Sequence, residues 1–197
     1  MPGTLWSAPS GAQQTSSSLT TSSFTTATLT DVSPGPCLIP AGTLNLGTRI
    51  RISAAGGYTA TTTASALKWG FYMNQAGTAI TTTAAVLAET ASTLAAAATG
   101  WPIQLYWQGV VQAISVNQNA TTAKVVGQGW SNVLPTSLTA WGGPVPMPLT
   151  VALRTVTQTA TGFNTETTQN VMLGLTVATN TGFTNCVIDE LSCELIG

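Results

Sequence analysis

The sequence contains no histidine. That absence removes the Ser-His-Asp and Cys-His arrangements, histidine-ligated zinc and the commonest general base. Charge is nearly as scarce. Lys and Arg number five, Asp and Glu six, for 6% of the chain and a formal net charge of -1, whereas soluble globular proteins average about 25% charged residues. No long-range field gathers phosphates or anionic lipid, so neither nucleic acid nor a membrane surface is expected as a partner. No stretch approaches the roughly 18 consecutive apolar residues of a membrane-spanning helix. The opening "MPGTLWSAPSGAQQ" has neither the basic nor the apolar region of a secretory signal, so synthesis and assembly in a cytoplasm are expected. Cysteine is limited to Cys37, Cys186 and Cys193. They show no CxxC and no metal-ligand spacing, and an odd count argues against a disulfide framework. On one strand Cys186 and Cys193 would stand roughly 23 Å apart, too far to pair with each other. Buried, reduced thiols are expected, with no metal and no cofactor.

What the chain does have is Thr, Ser, Asn, Gln and alternation. The 197 residues suit one all-β domain, which commonly runs to roughly 200 residues. Leu67, Trp69, Phe71 and Met73 share one face of "LKWGFYM"; Ile103, Leu105 and Trp107 do so in "IQLYW". Val171, Leu173, Leu175 and Val177 share a face of "VMLGLTV", with Met172, Gly174 and Thr176 on the other. This period of two predicts half-buried antiparallel strands. Further strands are expected at residues 24–30, 49–53, 79–87, 108–116, 123–130, 148–158 and 186–196. Turns are expected at "SPGP" (33–36), "AAGG" (54–57), "NQAG" (74–77), "WGGPVP" (141–146) and "TNTG" (179–182). Residues 85–98 are Ala-rich enough for a helix, but a strand end followed by a loop fits equally. The expected fold is an all-β antiparallel sandwich, jelly-roll-like, over residues 21–197. Residues 1–20, poor in apolar side chains, are expected to form a flexible N-terminal arm.

Few groups remain that could carry chemistry. Glu190 and Glu194 fall on one face of the last strand, roughly 13 Å apart by strand rise, beyond the about 5–9.5 Å of a glycosidase carboxylate pair. Asp189 points to the opposite face in that reading, leaving Asp31, Glu89 or Glu166 as the carboxylates that could approach from elsewhere. "GQGWSN" (127–132) lacks the third glycine of a dinucleotide loop and the second glycine of a nucleophile elbow. Its glycines fit a bulge or a close backbone approach instead. Arg49, Arg51, Lys68 and Arg154 are expected to project outward, in reach of cross-strand pairs with Asp189, Glu190 and Glu194. No catalytic residue is expected. A surface this poor in charge is a solubility liability for a free monomer, so much of it is expected to be covered by neighbours.

The order "IPAGTLNLGTRIRISAAGGYT", "LKWGFYM", "WPIQLYWQGVV", "LTVALRTVTQ", "NVMLGLTVATN" and "IDELSCELIG" resembles the virion-surface jelly rolls of tailed bacteriophages, over roughly residues 35–197. These include capsid decoration proteins, head-fibre knobs and some tail-tip proteins. The resemblance implies a non-enzymatic structural protein of the virion, often a homotrimer, decorating or cementing the capsid surface. Its partners would be copies of itself and the major capsid protein or another virion protein. Attachment would run through the N-terminal arm, with Leu5 and Trp6 as anchors. The alternative is a receptor-binding, carbohydrate-binding module at a tail tip or fibre, with Trp101 and Trp141 as its stacking platform.

Overall fold

The computed structural model describes residues 3–7, 29–60, 66–80, 85–89, 93–94, 98–117, 122–132, 164–177 and 183–196. They are all β, with no helix. In chain order the strands are β1 (Gly3–Ser7), β2 (Leu29–Asp31), β3 (Cys37–Ile39), β4 (Arg49–Ala60), β5 (Ala66–Gln75), β6 (Ala85–Glu89), β7 (Thr93–Leu94), β8 (Ala98–Ala113), β9 (Lys124–Asn132), β10 (Gln169–Val177) and β11 (Phe183–Ile196). Every pairing is antiparallel. One sheet runs β1-β11-β4-β8-β9; the other runs β2-β10-β5-β6, with β3 added on β10 and β7 on β5.

The connections explain the name of the architecture. Strands β4 and β11 pair in the first sheet, and the strands that follow and precede them, β5 and β10, pair in the second. Two adjacent segments thus cross together from one sheet to the other. This is a jelly-roll-like antiparallel sandwich.

Alternation decides which side chains fill the space between the sheets. Ile50, Ile52 and Ala54 of β4, Leu105 and Trp107 of β8, and Leu191 and Cys193 of β11 meet Trp69, Phe71 and Met73 of β5 and Val171, Leu173 and Leu175 of β10 in one core. Trp69 and Trp107 are fully enclosed there. Room for such rings is made by glycine. Gly109 and Gly127 stand opposite each other in the β8/β9 ladder, and a Cβ on either would come within 2.2–2.4 Å of the Trp107 ring. The glycines expected to mark a bulge or a close approach in "GQGW" therefore serve the second purpose: the ladder beside them is regular.

Three local expectations change. The "AAGG" segment is not a turn but the middle of β4, paired with β11 on one side and β8 on the other. What the first of its glycines provides is a close approach: β11 bulges between Ile188 and Glu190, and the Val187 carbonyl lies 2.1 Å from where a Gly56 Cβ would sit. The same bulge inserts Asp189 as an extra residue opposite Gly56 and Ala55, so that Asp189 and Glu190 are both exposed while Ile188 and Leu191 both face the core. Asp189 does not point to the side opposite Glu190 as strict alternation predicts. Finally, "IQLYW" and "QGVVQAISV" are not separate strands; β8 is one 16-residue strand from Ala98 to Ala113.

The expected helix or loop at residues 85–98 contains strands β6 and β7. The predicted strand at 148–158, the turn at 141–146 and Arg154 lie outside the described residues. At one end of the sandwich, Gly42 (φ 73°) and Gly77 (φ 84°) supply the left-handed backbone of their turns. Gly42 N and Ala76 N donate to the Thr165 and Thr168 carbonyls, both at 2.8 Å. Buried Ser115 and Thr165 exchange hydrogen bonds beside them.

Candidate functional site

The outward side of the five-stranded sheet carries cross-strand rows that the register brings together. In one row β11, β4, β8 and β9 align Glu194, Arg51, Gln108 and Gln128; in the next they align Ser192, Ser53, Tyr106 and Trp130. The Arg51 guanidinium donates to Glu194 Oε2 at 3.2 Å, and the Ser53 and Ser192 hydroxyls share a hydrogen bond of 2.6 Å. These contacts occupy the β4/β11 half of the face. They leave the β8/β9 half to a different chemistry.

On that half Tyr106 and Trp130 stack, with centroids 5.8 Å apart and ring planes 17° from parallel. Trp130 is 41% exposed, unlike Trp69 and Trp107. The Tyr106 hydroxyl donates to Gln108 Oε1 at 3.0 Å, which fixes the amide with its NH2 directed away from the ring. The side chains of Arg49, Gln128 and Trp130 make no hydrogen bond or ion pair among the described residues. Together with Val110, Val126 and the β9 glycines they line a groove of about 620 Å³, within the about 300–1,000 Å³ typical of ligand sites. Among the described residues no carboxylate lines it.

A second polar cluster sits on the outward side of the other sheet. Glu89 Oε1 accepts from the Tyr72 hydroxyl at 2.7 Å and pairs with Lys68 Nζ at 3.0 Å. Burial, then the Glu89 carboxylate, pushes the Tyr72 hydroxyl well above the ordinary tyrosine range. The cluster is a clamp, with its one carboxylate engaged twice.

Of the carboxylates that could have joined Glu190 and Glu194, Glu89 and Asp31 lie in the opposite sheet. Asp31 Oδ1 accepts from the Ser33 backbone N–H at 2.9 Å and the Ser33 hydroxyl at 2.6 Å, and Glu166 occupies the turn before β10. Among the described residues no group of three or more His, Cys, Asp and Glu side chains could hold a metal ion. The cysteines are free and buried. Cys37, on β3, meets Cys193, on β11 of the facing sheet; that contact, followed by burial, pushes the Cys37 thiol far above its usual range. Burial alone pushes Cys186 up to about 12.

Leu5 and Trp6 lie in β1, which forms the outer edge of the five-stranded sheet. Gly3 pairs with Leu195, Trp6 with Cys193 and Ser7 with Ser192, with a register shift between Thr4 and Trp6. The backbone of Trp101 lies in β8 opposite Tyr58; Trp141 is outside the described residues. The groove residues Arg49, Tyr106, Gln108 and Gln128 were not singled out together by the sequence, because they converge only once the β4/β8/β9 register is known.

No family model matches the sequence, and no curated protein matches it. Among solved structures the chain is similar to an endo-1,3-beta-glucanase from Streptomyces sioyaensis, with 10% identity and a TM-score of 0.36, over 86% of this chain and 74% of that one.

Proposed function

We propose that the chain is a non-enzymatic structural protein of a bacteriophage virion. It decorates or cements the capsid surface as a homo-oligomer, a trimer in the arrangement we favour, and attaches through its N-terminal segment. The observation that supports this reading is β1. Five residues near the start of the sequence add to the edge of β11 through the backbone, and residues 8–28 separate them from β2. Backbone strand addition is a docking mode that needs little side-chain specificity. Fully extended, the connecting residues span roughly 70 Å at about 3.3 Å each, enough for the same strand to add to a neighbouring subunit's edge. The nearly uncharged composition is consistent with a surface covered in an assembly.

The test is deletion of residues 2–20 from the purified protein, followed by light scattering and co-sedimentation with particles lacking it. The expected result is a folded oligomer that no longer pellets with particles. Undiminished pelleting would overturn attachment through this segment. A second reading, a carbohydrate-binding module at a tail tip or fibre, is favoured by a specific observation, the exposed Tyr106–Trp130 stack.

A further inference from the structure

We infer that the groove on β8 and β9 is a glycan-binding site, in which a pyranose ring stacks on the Tyr106–Trp130 pair and its hydroxyls are held by Gln108, Gln128 and Arg49. The inference rests on the carbohydrate-binding reading and is independent of how the protein attaches to a particle.

Three features of the groove select this occupant. The first is its mixed character. The Tyr106–Trp130 stack, with Trp130 exposed, offers a flat apolar surface, while beside it the Gln128 amide and the Arg49 guanidinium make no hydrogen bond among the described residues and the Gln108 amide makes one, from the Tyr106 hydroxyl. A sugar ring has the same division, with C–H groups on its faces and hydroxyls around its rim. An apolar ligand would leave those donors unsatisfied, at a cost.

The second is orientation. Because Gln108 Oε1 already accepts from the Tyr106 hydroxyl, that amide retains both N–H donors and one lone pair of its oxygen. Gln128, directly across the ladder from Gln108, retains both donor and acceptor. An amide whose spare capacity is mainly donor next to an amide of both kinds suits adjacent hydroxyls, each of which accepts and donates.

The third is location and charge. The groove opens on the outward face of the sheet beside its edge strand β9, and an extended peptide adding to that edge would engage backbone rather than the stacked rings. Among the described residues it contains one cation, Arg49, in a chain of net charge -1, too little to bind a phosphate backbone.

Glycan binding is tested with the full chain, biotinylated, on an array of bacterial surface polysaccharide fragments and host-type oligosaccharides, followed by calorimetry with the strongest binder. The expected result is selective binding to one glycan class, weakened at least tenfold by Trp130→Ala and by Gln128→Ala, and largely kept by Trp130→Phe. Thermal melts of the variants separate loss of binding from loss of fold. An empty array, or binding indifferent to Trp130→Ala, overturns the inference. Particle co-sedimentation of the same Trp130→Ala variant is expected to be unchanged, so a failed glycan site and a failed attachment segment give different results.

Discussion

On the five-stranded sheet the residues that alternate away from the core, among them Arg51, Ser53, Gln108 and Trp130, reach solvent. On the second sheet their counterparts Tyr72 and Met172 are each 1% exposed, yet neither belongs to the central core. Strand β4 accordingly alternates in burial, while β10 is buried at five consecutive positions, Val171 to Leu175. The second sheet is covered on its outward side around Tyr72, Met172 and Gly174. A Cβ at Gly174 would come within 2.5 Å of the Tyr72 ring, 2.7 Å of Leu29 and 2.9 Å of Ile80, which identifies part of the cover. The difference teaches that the second sheet buries the centre of its outward side while the five-stranded sheet presents its own for use.

Substitutions at outward positions put that contrast under test. The largest effect is expected from Met172→Ala. Truncating a buried Met costs about 2–5 kcal/mol, and the same loss is not expected at Trp130, where Trp130→Ala gives up chiefly a stack worth about 0.5–1.5 kcal/mol. Equal destabilisation of the two variants in urea melts would erase the distinction between the sheets. Next is Gly174→Ala, which forces a methyl against Tyr72 under the cover. Overpacking of this kind costs typically about 1–3 kcal/mol, measurable as a lowered melting temperature.

Alkaline pH tests the interior. The Cys186 thiol ionises near 9 when free and near 12 when folded, so the folded state holds its proton more tightly. The stability this contributes is fully present below pH about 9 and is lost as pH rises towards 12. Tyr58, pushed up to about 12 by burial, adds to the loss above pH about 10. The melting temperature is therefore expected to fall steadily across that window; a flat profile would mean that these groups are solvated in the folded protein. The smallest effect is reserved for the open face. Glu194→Gln removes the half-exposed pair with Arg51, and a change within about 1 kcal/mol is expected.

Much of this was legible without coordinates. The inward sets in "LKWGFYM" and "IQLYW" follow from alternation, and both are in the core. Alternation in "VMLGLTV" predicts a half-buried strand, whereas Met172 and Gly174 are buried too; a short apolar run is also the pattern of a strand buried on both faces. What removes the ambiguity is the contact of Leu29 and Ile80 with Gly174, which no local pattern contains. The bulge at Asp189 was equally invisible: a one-residue insertion into a ladder depends on the partner, here Gly56 and Ala55. The binding groove needed a register, since Tyr106 and Trp130 are neighbours only because β9 returns along β8 in that alignment. The stretch "QGW" shows the tryptophan, and the fold supplies its partner.

The cysteines have a use of another kind. All three have zero exposure, and they occupy two places that must open before a reagent can enter: the contact of Cys37 with Cys193, and Cys186. Cys193 lies under the β1/β11 edge, Cys186 further along β11, and Cys37 where β3 caps the second sheet. Their rates of modification by a thiol reagent would time the opening of those regions separately, with no label engineered into the chain. Should β1 leave its own β11 for a neighbour's, Cys193 would register both the departure and the arrival, first by becoming reactive and then by falling silent again.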